Sequence, residues 1–484
     1  MSVLVVISTV LAYLLFMFAI AWMAGKDSDN SAFFTGSRKS RWYVAALAMI
    51  GAPMSGVTFV SVPGMVASSG FGYLQMCLGF VVGYLVISFA LIPLFYRQNV
   101  VSIYQYLENR FGLSSYKTGA WFFFVSKILG ASVRFFLVCL IFQMLVFEPL
   151  SLPFWLNVLI SVFIVFAYTF TGGVKTVVWT DSLRTLCMIL AVVLGIVFIA
   201  KNLGVGLGGL VSSVKGSGMS RMFYFDDVNA SQYFWKQFLG GLFTAVAMTG
   251  LDQDMMQRPL SCKDPSDSRK NMITSGVMQF FVVALFLCLG VMLYQFAATN
   301  GISETGDKIF AAVATSGLLP GVVGILFIIG LVASSFGAGG SALTSLTTSF
   351  TVDILGAMKK GESSLTKTRK LVHVGMAVLM AVVIIVFNKL SNTSAINAVY
   401  TLASYTYGPI LGMFAFGLAC KKRVRDKWVP LVAITAPALC LVLQLNSERW
   451  FGGYKFSYEI LLLNAIFVVI GLCCLVDRKN DIKS

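Results

Sequence analysis

The sequence predicts an all-α integral membrane protein with about thirteen transmembrane helices. Of its 484 residues, 58% are hydrophobic and only 12% are charged, whereas soluble domains keep about 25% of their residues charged. The apolar residues form runs long enough for membrane helices, which need about 20 residues each. Lysine and arginine concentrate in alternate connecting segments, as the positive-inside rule requires of a chain that crosses the membrane many times.

The predicted spans follow from the positions of the apolar runs. They cover residues 3–23, 43–66, 73–96, 118–146, 154–171, 178–199, 234–250, 272–297, 319–351, 370–388, 396–420, 428–446 and 456–476. The first run lacks the basic region that precedes the apolar core of a signal peptide, so we interpret it as a retained helix. An odd number of spans places the two chain ends on opposite sides of the membrane.

The distribution of positive charge predicts the orientation and argues against a nucleic-acid partner. The net charge is +16, and most of the 36 Lys and Arg residues fall on one predicted side of the membrane. The basic segments on that side are 24–42, 97–117, 251–271, 352–369 and 421–427, together with the tail 477–484. We therefore expect a plasma (inner) membrane protein with its N-terminus outside and its C-terminus in the cytoplasm.

Two of the predicted spans carry signals for an interrupted helix. The second contains Gly51, Pro53, Gly56 and Pro63, and proline both removes a backbone donor and clashes with the preceding turn. The seventh carries a weaker signal of paired glycines and threonines. Because freed backbone groups are tolerated at membrane depth only inside protein or along a cavity, both spans are expected to border a cavity.

Counting five spans from each interrupted helix divides the chain into two equal blocks. The first predicted repeat covers residues 43–199 and the second 234–420, with one helix before them (1–24) and two after them (428–476). Because each block has an odd number of spans, the second inserts upside down relative to the first. This is the pattern of inverted-repeat transporters, whose substrate site lies at the broken helices.

Five short segments of the chain carry a family resemblance. They are FFTGSRKSRW (33–42), SIYQYLENRFG (102–112), TFTGGVKTVVWTD (169–181), GLDQDMMQR (250–258) and SALTSLTTSFTVDIL (341–355). In this order they resemble segments of the sodium/solute symporters, a family that includes sodium/glucose cotransporters and bacterial sialic acid transporters. The resemblance implies a LeuT-type 5+5 inverted-repeat fold and alternating access, with solute moved inward by a sodium gradient.

An arginine in the fourth span is the main candidate for binding the substrate. An ionisable group at membrane depth costs at least about 2.5–3.5 kcal/mol on insertion scales, and the arginine fork fits a carboxylate. By resemblance, Arg134 falls where the sialic acid transporters hold the substrate carboxylate. Pairing with a neighbouring helix or with backbone carbonyls is the alternative. The resemblance adds Ser55, Thr58 and Tyr73 to the pocket, although small hydroxyl residues also serve helix packing.

The predicted main cation site is where the chain departs from the family pattern. The resemblance implies a sodium ion held by the backbone carbonyls of Gly51, Met54 and Ser334 and by two adjacent serine hydroxyls. In this chain those serines correspond to Gly337 and Ala338. Two hydroxyl ligands are therefore missing.

A second cation position is predicted beside the first. The resemblance places Asp181 and Ser341 at an accessory sodium position found in some family members. Asp181 also has Arg184 three residues later, so a local ion pair on one helix is the alternative.

Together these features predict a cation-coupled symporter that imports a small polar organic solute. Arg134 favours an organic anion such as a sialic acid, and a neutral sugar, an amino acid or a vitamin stays an alternative. Sodium is the expected coupling ion, ahead of a proton, and no covalently bound cofactor is expected. A sodium-independent or proton-coupled transporter and a transporter-derived sensor stay as alternatives because of Gly337 and Ala338. An enzyme is not expected, since the candidate acid–base pair Asp252 and Asp254 lies in the family's own GLDQDMMQR segment. The oligomeric state is not predicted.

Overall fold

The structure, a computed structural model, describes residues 3–25, 40–98, 102–170, 174–357, 362–390 and 395–481. Nearly all of these residues are helical. The helices are α1 (Val3–Gly25), α2 (Trp42–Gly51), α3 (Gly56–Gly64), α4 (Val66–Ser69), α5 (Tyr73–Gln98), α6 (Gln105–Arg110), α7 (Leu113–Phe147), α8 (Phe154–Thr169), α9 (Val174–Asn202), α10 (Leu207–Gly216), α11 (Phe234–Ala245), α12 (Gln253–Leu260), α13 (Pro265–Asn300), α14 (Ile309–Thr315), α15 (Gly321–Ile354), α16 (Glu362–Leu390), α17 (Ala395–Ala419), α18 (Val429–Trp450) and α19 (Ile460–Cys474).

The membrane class is confirmed by the length and composition of these helices. Within the described residues, eight are long and apolar enough to cross a membrane, and the bent pair α2 and α3 makes a ninth. Shorter apolar helices occur in α1, α8 and α19. The helix α11, at the seventh predicted span, has 12 residues. The count of thirteen spans and the division into two inverted repeats stay predictions.

The interruption predicted in the second span is confirmed. The axes of α2 and α3 differ by 54° across a break of four residues, where Pro53 has no N–H to continue the hydrogen-bond ladder. The chain re-enters a helix after Ser55, whose backbone is extended. Ala52, Met54 and Ser55 at this break are buried.

The second interruption is more complete than the sequence predicts. α11 passes into a π-helical turn (Val246–Gly250), and the chain then forms the separate helix α12. Residues 251–271 were expected to be a basic connecting segment, and that expectation is wrong for α12, because Arg258 is only 2% exposed. Asp252 caps this helix by accepting the Met255 N–H at 3.1 Å, and ion pairs described below neutralise its charged residues.

Packing of small residues brings the two interrupted helices close to their neighbours. α5 packs against α11 through glycines, and a Cβ atom added at Gly83 would lie 2.6 Å from the Cβ of Ala245. Such close approach of helices through small residues is typical of membrane bundles. α9 packs against both α2 and α15, which places its polar residues beside the first interruption.

Two short strands join the end of the chain to an earlier basic segment. β1 (Lys422–Val424) pairs antiparallel with β2 (Val476–Asp481), with Val424 opposite Val476. The segment 421–427 and residues 477–481 of the tail therefore lie on the same side of the bundle, as the charge distribution predicts for two cytoplasmic segments. Which side of a membrane this is stays a prediction.

Candidate functional site

Residues of both helix interruptions line a pair of small cavities. The cavities measure about 40 Å³ and about 50 Å³, and Arg134, Met248 and Met255 line both. Because one water needs about 10–15 Å³ of such space, each cavity holds only a few waters. The structure therefore represents a state in which the centre is closed, and an organic solute would need side chains or helices to move.

Arg134 is a charged residue of this central region that has no partner among the described residues. It is half-buried on α7 and lines both cavities. In the part of the chain that the structure describes, its guanidinium makes no hydrogen bond and no ion pair. The predicted alternative, pairing with a neighbouring helix or with carbonyls, is not seen among these residues. An anion that enters the cavities would thus meet an uncompensated positive charge.

Lys127, which lies seven residues before Arg134 on α7, is paired. Its Nζ lies 3.1 Å from Oδ2 of Asp252 and 2.9 Å from Oδ2 of Asp254, and all three side chains are buried. Tyr407 of α17 donates a hydrogen bond to Asp252 at 2.6 Å. These contacts connect α7 and α17 to the second interruption.

The carboxylate of Asp181 on α9 is shared by two arginines. Arg258 donates to its Oδ2 from Nε at 3.0 Å and from Nη2 at 2.7 Å, and Arg184 Nη1 lies 3.3 Å from Oδ1. Arg258 Nη2 also donates to the Ser341 hydroxyl at 2.9 Å, and that hydroxyl donates to Asp254 at 2.6 Å. Arg258 thus lies between Asp181 and Ser341, so a cation at the predicted accessory position would have to displace it.

These buried groups form one network whose formal charges cancel. Three carboxylates meet three cationic groups, namely Asp181, Asp252 and Asp254 with Lys127, Arg184 and Arg258. Arg134 is not a member of this network. The central region therefore carries one positive charge more than its described carboxylates compensate.

The other residues predicted to bind the substrate lie around the same cavities. Ser55 lines the smaller one, and Thr58 and Tyr73 line the other. The Tyr73 hydroxyl lies 2.7 Å from that of Tyr400 on α17. Tyr73 also lines a third cavity of about 610 Å³, which borders the loops predicted to lie outside. Tyr73 therefore lies between this third cavity, called the vestibule below, and the larger central cavity, and we expect the tyrosine pair to separate the two.

We expect Tyr73→Phe to loosen this separation, because it removes the hydrogen bond to Tyr400. One such bond contributes about 1 kcal/mol, which corresponds to about fivefold in the population of the open form. A cysteine introduced at Thr58 should then react about fivefold faster with an impermeant thiol reagent added from the vestibule side. Tyr96→Phe, which removes a 2.9 Å hydrogen bond to the Cys262 carbonyl far from the pair, is the control. Equal rates in the two variants would contradict a gating role.

One of the atoms predicted to form the main cation site is engaged within the chain. The Gly51 carbonyl accepts the Met54 N–H at 3.1 Å and Arg184 Nη2 at 2.7 Å. The Ser334 hydroxyl, which is not one of the predicted ligand atoms, donates to the Leu331 carbonyl of its own helix at 3.0 Å. The cation-binding roles of Gly51, Met54 and Ser334 stay predictions.

Sequence reasoning missed Arg258 and the partners of Lys127. Arg258 had been placed in a connecting segment, because α12 is too polar to be recognised as part of a membrane span. The available signal was the close spacing of Asp252, Asp254 and Arg258 at the end of a span that also contains weak interruption signals. Pairing with Lys127, 125 residues earlier, could not be read from that spacing.

Comparisons with known proteins agree with this geometry. A model of the sodium:solute symporter family matches residues 33–426. The chain is 25% identical to the human sodium/iodide cotransporter, over 81% of this chain and 62% of that protein. It is also 25% identical to the sodium/sialic acid symporter NanT of Aliivibrio fischeri, over 95% of this chain and 90% of that protein. For the mouse sodium-coupled monocarboxylate transporter 2 the identity is 22%, over 81% and 64%. The chain thus spans less than two thirds of the iodide and monocarboxylate relatives.

Two solved structures share the fold. The substrate-bound, outward-open structure of a Na⁺-coupled sialic acid symporter superposes with a TM-score of 0.82 at 18% identity, over 97% of both chains. A nucleobase-cation-symport-1 family transporter in a closed conformation gives a TM-score of 0.56 at 14% identity, over 92% of this chain and 94% of that one. At these identities the likeness concerns the fold alone, which is LeuT-like.

Proposed function

Because this chain belongs to the sodium:solute symporter family, whose members among its relatives are transporters and not enzymes, we propose that it imports a small organic anion by alternating access. The observation that carries the proposal is the unpaired guanidinium of Arg134 at the junction of the two central cavities. An arginine fork binds a carboxylate through two parallel charge-assisted hydrogen bonds. The solute would enter from the vestibule, past Tyr73, and reach Arg134 between the two helix interruptions.

The relatives support an anion as the solute. Their names specify iodide, sialic acid and monocarboxylates, and all three are negatively charged at neutral pH. A site with one surplus positive charge suits each of them better than a neutral sugar. Sialic acid is the solute that our sequence analysis favours, and a smaller monocarboxylate fits the same chemistry.

The driving force in this proposal is a cation gradient across the plasma (inner) membrane. Family membership and the Na⁺-coupled structural neighbour support sodium. The second candidate, transport driven by protons or by the solute gradient alone, is favoured by one observation. The positions expected to hold sodium have lost two hydroxyls, at Gly337 and Ala338. Of the remaining predicted ligands, Arg184 contacts the Gly51 carbonyl, and Arg258 contacts Asp181 and Ser341.

Uptake by the purified protein in liposomes tests the proposal. Labelled sialic acid, a monocarboxylate and iodide should each be offered under an inward sodium gradient, an inward proton gradient and no gradient. We expect one carboxylate to accumulate and the uncharged amide of the same compound to be excluded, because only the anion pairs with Arg134. Accumulation of the amide to the same level as the acid would contradict an anion site, and specific binding without uptake would indicate a sensor instead.

A further inference from the structure

The guanidinium of Arg184 contacts an atom that the family resemblance assigns to the main sodium site, the Gly51 carbonyl. Its Nη2 donates to the Gly51 carbonyl at 2.7 Å, and the same carbonyl accepts the Met54 N–H at 3.1 Å. A carbonyl oxygen has two lone pairs, so both are in use. The first of the predicted sodium ligands therefore has no lone pair left for a bound cation.

The loss of a serine at position 337 is coupled to the presence of this arginine. A Cβ atom added at Gly337 would lie 2.7 Å from both Cδ and Nη1 of Arg184, which is closer than real Cβ contacts allow. Any side chain at this position would have to push the guanidinium away. A serine at position 337 therefore cannot be accommodated unless the Arg184 side chain leaves its present position.

Arg184 is held here mainly by charge. It is 1% exposed, and its Nη1 lies 3.3 Å from the Asp181 carboxylate. Among the described residues, its Nε and Nη1 have no hydrogen-bond partner, although buried side-chain donors are normally satisfied. The surroundings accommodate a positive charge without matching the donors of an arginine, as a site shaped around a simple cation would.

The formal charges of the buried network also argue against a sodium ion bound beside Arg184. With Arg184 in place, the buried network around Asp181 is neutral. A sodium ion added to it would leave one uncompensated positive charge in a region that already contains the unpaired Arg134. Without Arg184, the network would carry one negative charge, which a sodium ion would neutralise.

We propose that Arg184 is a built-in cation that replaces bound sodium at this position, so that the natural chain does not bind Na⁺ between Gly51 and position 337. The inference rests on the proposed function only for the location of the family's main cation site. A covalently attached cation cannot leave with the solute. Ion binding at this position therefore cannot couple transport to an ion gradient. Any coupling cation must bind elsewhere.

Thermal unfolding of the purified protein, measured in NaCl and in KCl at equal ionic strength, tests the proposal without a transport assay. Any Na⁺-specific rise in the unfolding temperature of the wild type should be the same in Gly337→Ala, because a coupling Na⁺ would bind elsewhere. Arg184→Ala/Gly337→Ser should unfold at a temperature that rises with Na⁺ and saturates, because it has a vacated cation position, a new hydroxyl and one surplus negative charge. Arg184→Ala/Gly337→Ala has the same Cβ without the hydroxyl, and its response to Na⁺ should be weaker.

A second measurement stands even if the variants that lack Arg184 do not fold. Gly337→Ala in the wild-type background should lower the unfolding temperature, because the new Cβ displaces Arg184. Gly375→Ala on α16, where an added Cβ meets nothing within 4 Å, should leave it unchanged or raise it.

Two results would overturn the proposal. One is a saturable, Na⁺-specific rise in the unfolding temperature of the wild type that Gly337→Ala abolishes. The other is equal stability of the Gly337→Ala and Gly375→Ala proteins. Neither result depends on whether a solute is transported, so failure here is distinct from failure of the proposed function.

Discussion

Replacement of Arg134 by alanine is expected to lower the affinity for the transported anion at least about tenfold while leaving the protein stable. A charge-assisted hydrogen bond contributes about 1.5–3 kcal/mol, and the fork can form two of them with one carboxylate. Arg134→Lys keeps the charge but loses the paired geometry, so its affinity should fall between those of wild type and Arg134→Ala. Competition against uptake of the labelled anion in liposomes gives the three affinities.

Stability separates a binding role of Arg134 from a structural one. Because this guanidinium has no partner among the described residues, its removal leaves no described carboxylate uncompensated, and the unfolding temperature should stay close to that of the wild type. If Arg134→Ala binds the anion as tightly as the wild type, Arg134 does not hold the substrate. A large drop in unfolding temperature would instead indicate a structural ion pair.

In contrast to Arg134→Ala, Lys127→Met is expected to lower the stability of the protein strongly. Lys127 Nζ lies within 3.1 Å of carboxylate oxygens of both Asp252 and Asp254, and all three groups are buried. Breaking a buried ion pair by removing one partner costs about 3–5 kcal/mol, because the remaining charge is left without compensation. The measurement is the unfolding temperature of the purified variant, or its yield of folded protein if it does not survive purification.

A second substitution should restore what Lys127→Met removes. Lys127→Met/Asp252→Asn returns the network to neutrality, and asparagine remains a good N-cap for α12 and an acceptor for the Tyr407 hydroxyl. We therefore expect the double variant to be more stable than Lys127→Met alone. Lys127→Arg, which keeps the charge, is the control. An unfolding temperature of Lys127→Met equal to that of the wild type would contradict the buried ion pair.

The two interrupted helices differ in how well they could be predicted from local sequence. The break between α2 and α3 could be predicted, because Pro53 and its neighbouring glycines disrupt a helix whatever surrounds them. α12 could not, because its polar residues are typical of a loop exposed to water. In the structure it is buried, and Lys127 and Asp181, on other helices, neutralise Asp254 and Arg258.

Residue type and local spacing were enough to predict the membrane class, the first interruption and the presence of charges within the spans. The missing hydroxyls at Gly337 and Ala338 follow from the family resemblance. The pairing of the charges, the lack of a described partner for Arg134 and the contact of Arg184 with the Gly51 carbonyl, 133 positions away, became visible only in the folded chain. Such contacts depend on how α9 packs against α2 and α15. At low dielectric, a few ångströms of helix position decide whether a buried charge is compensated by the protein or is left to bind a ligand.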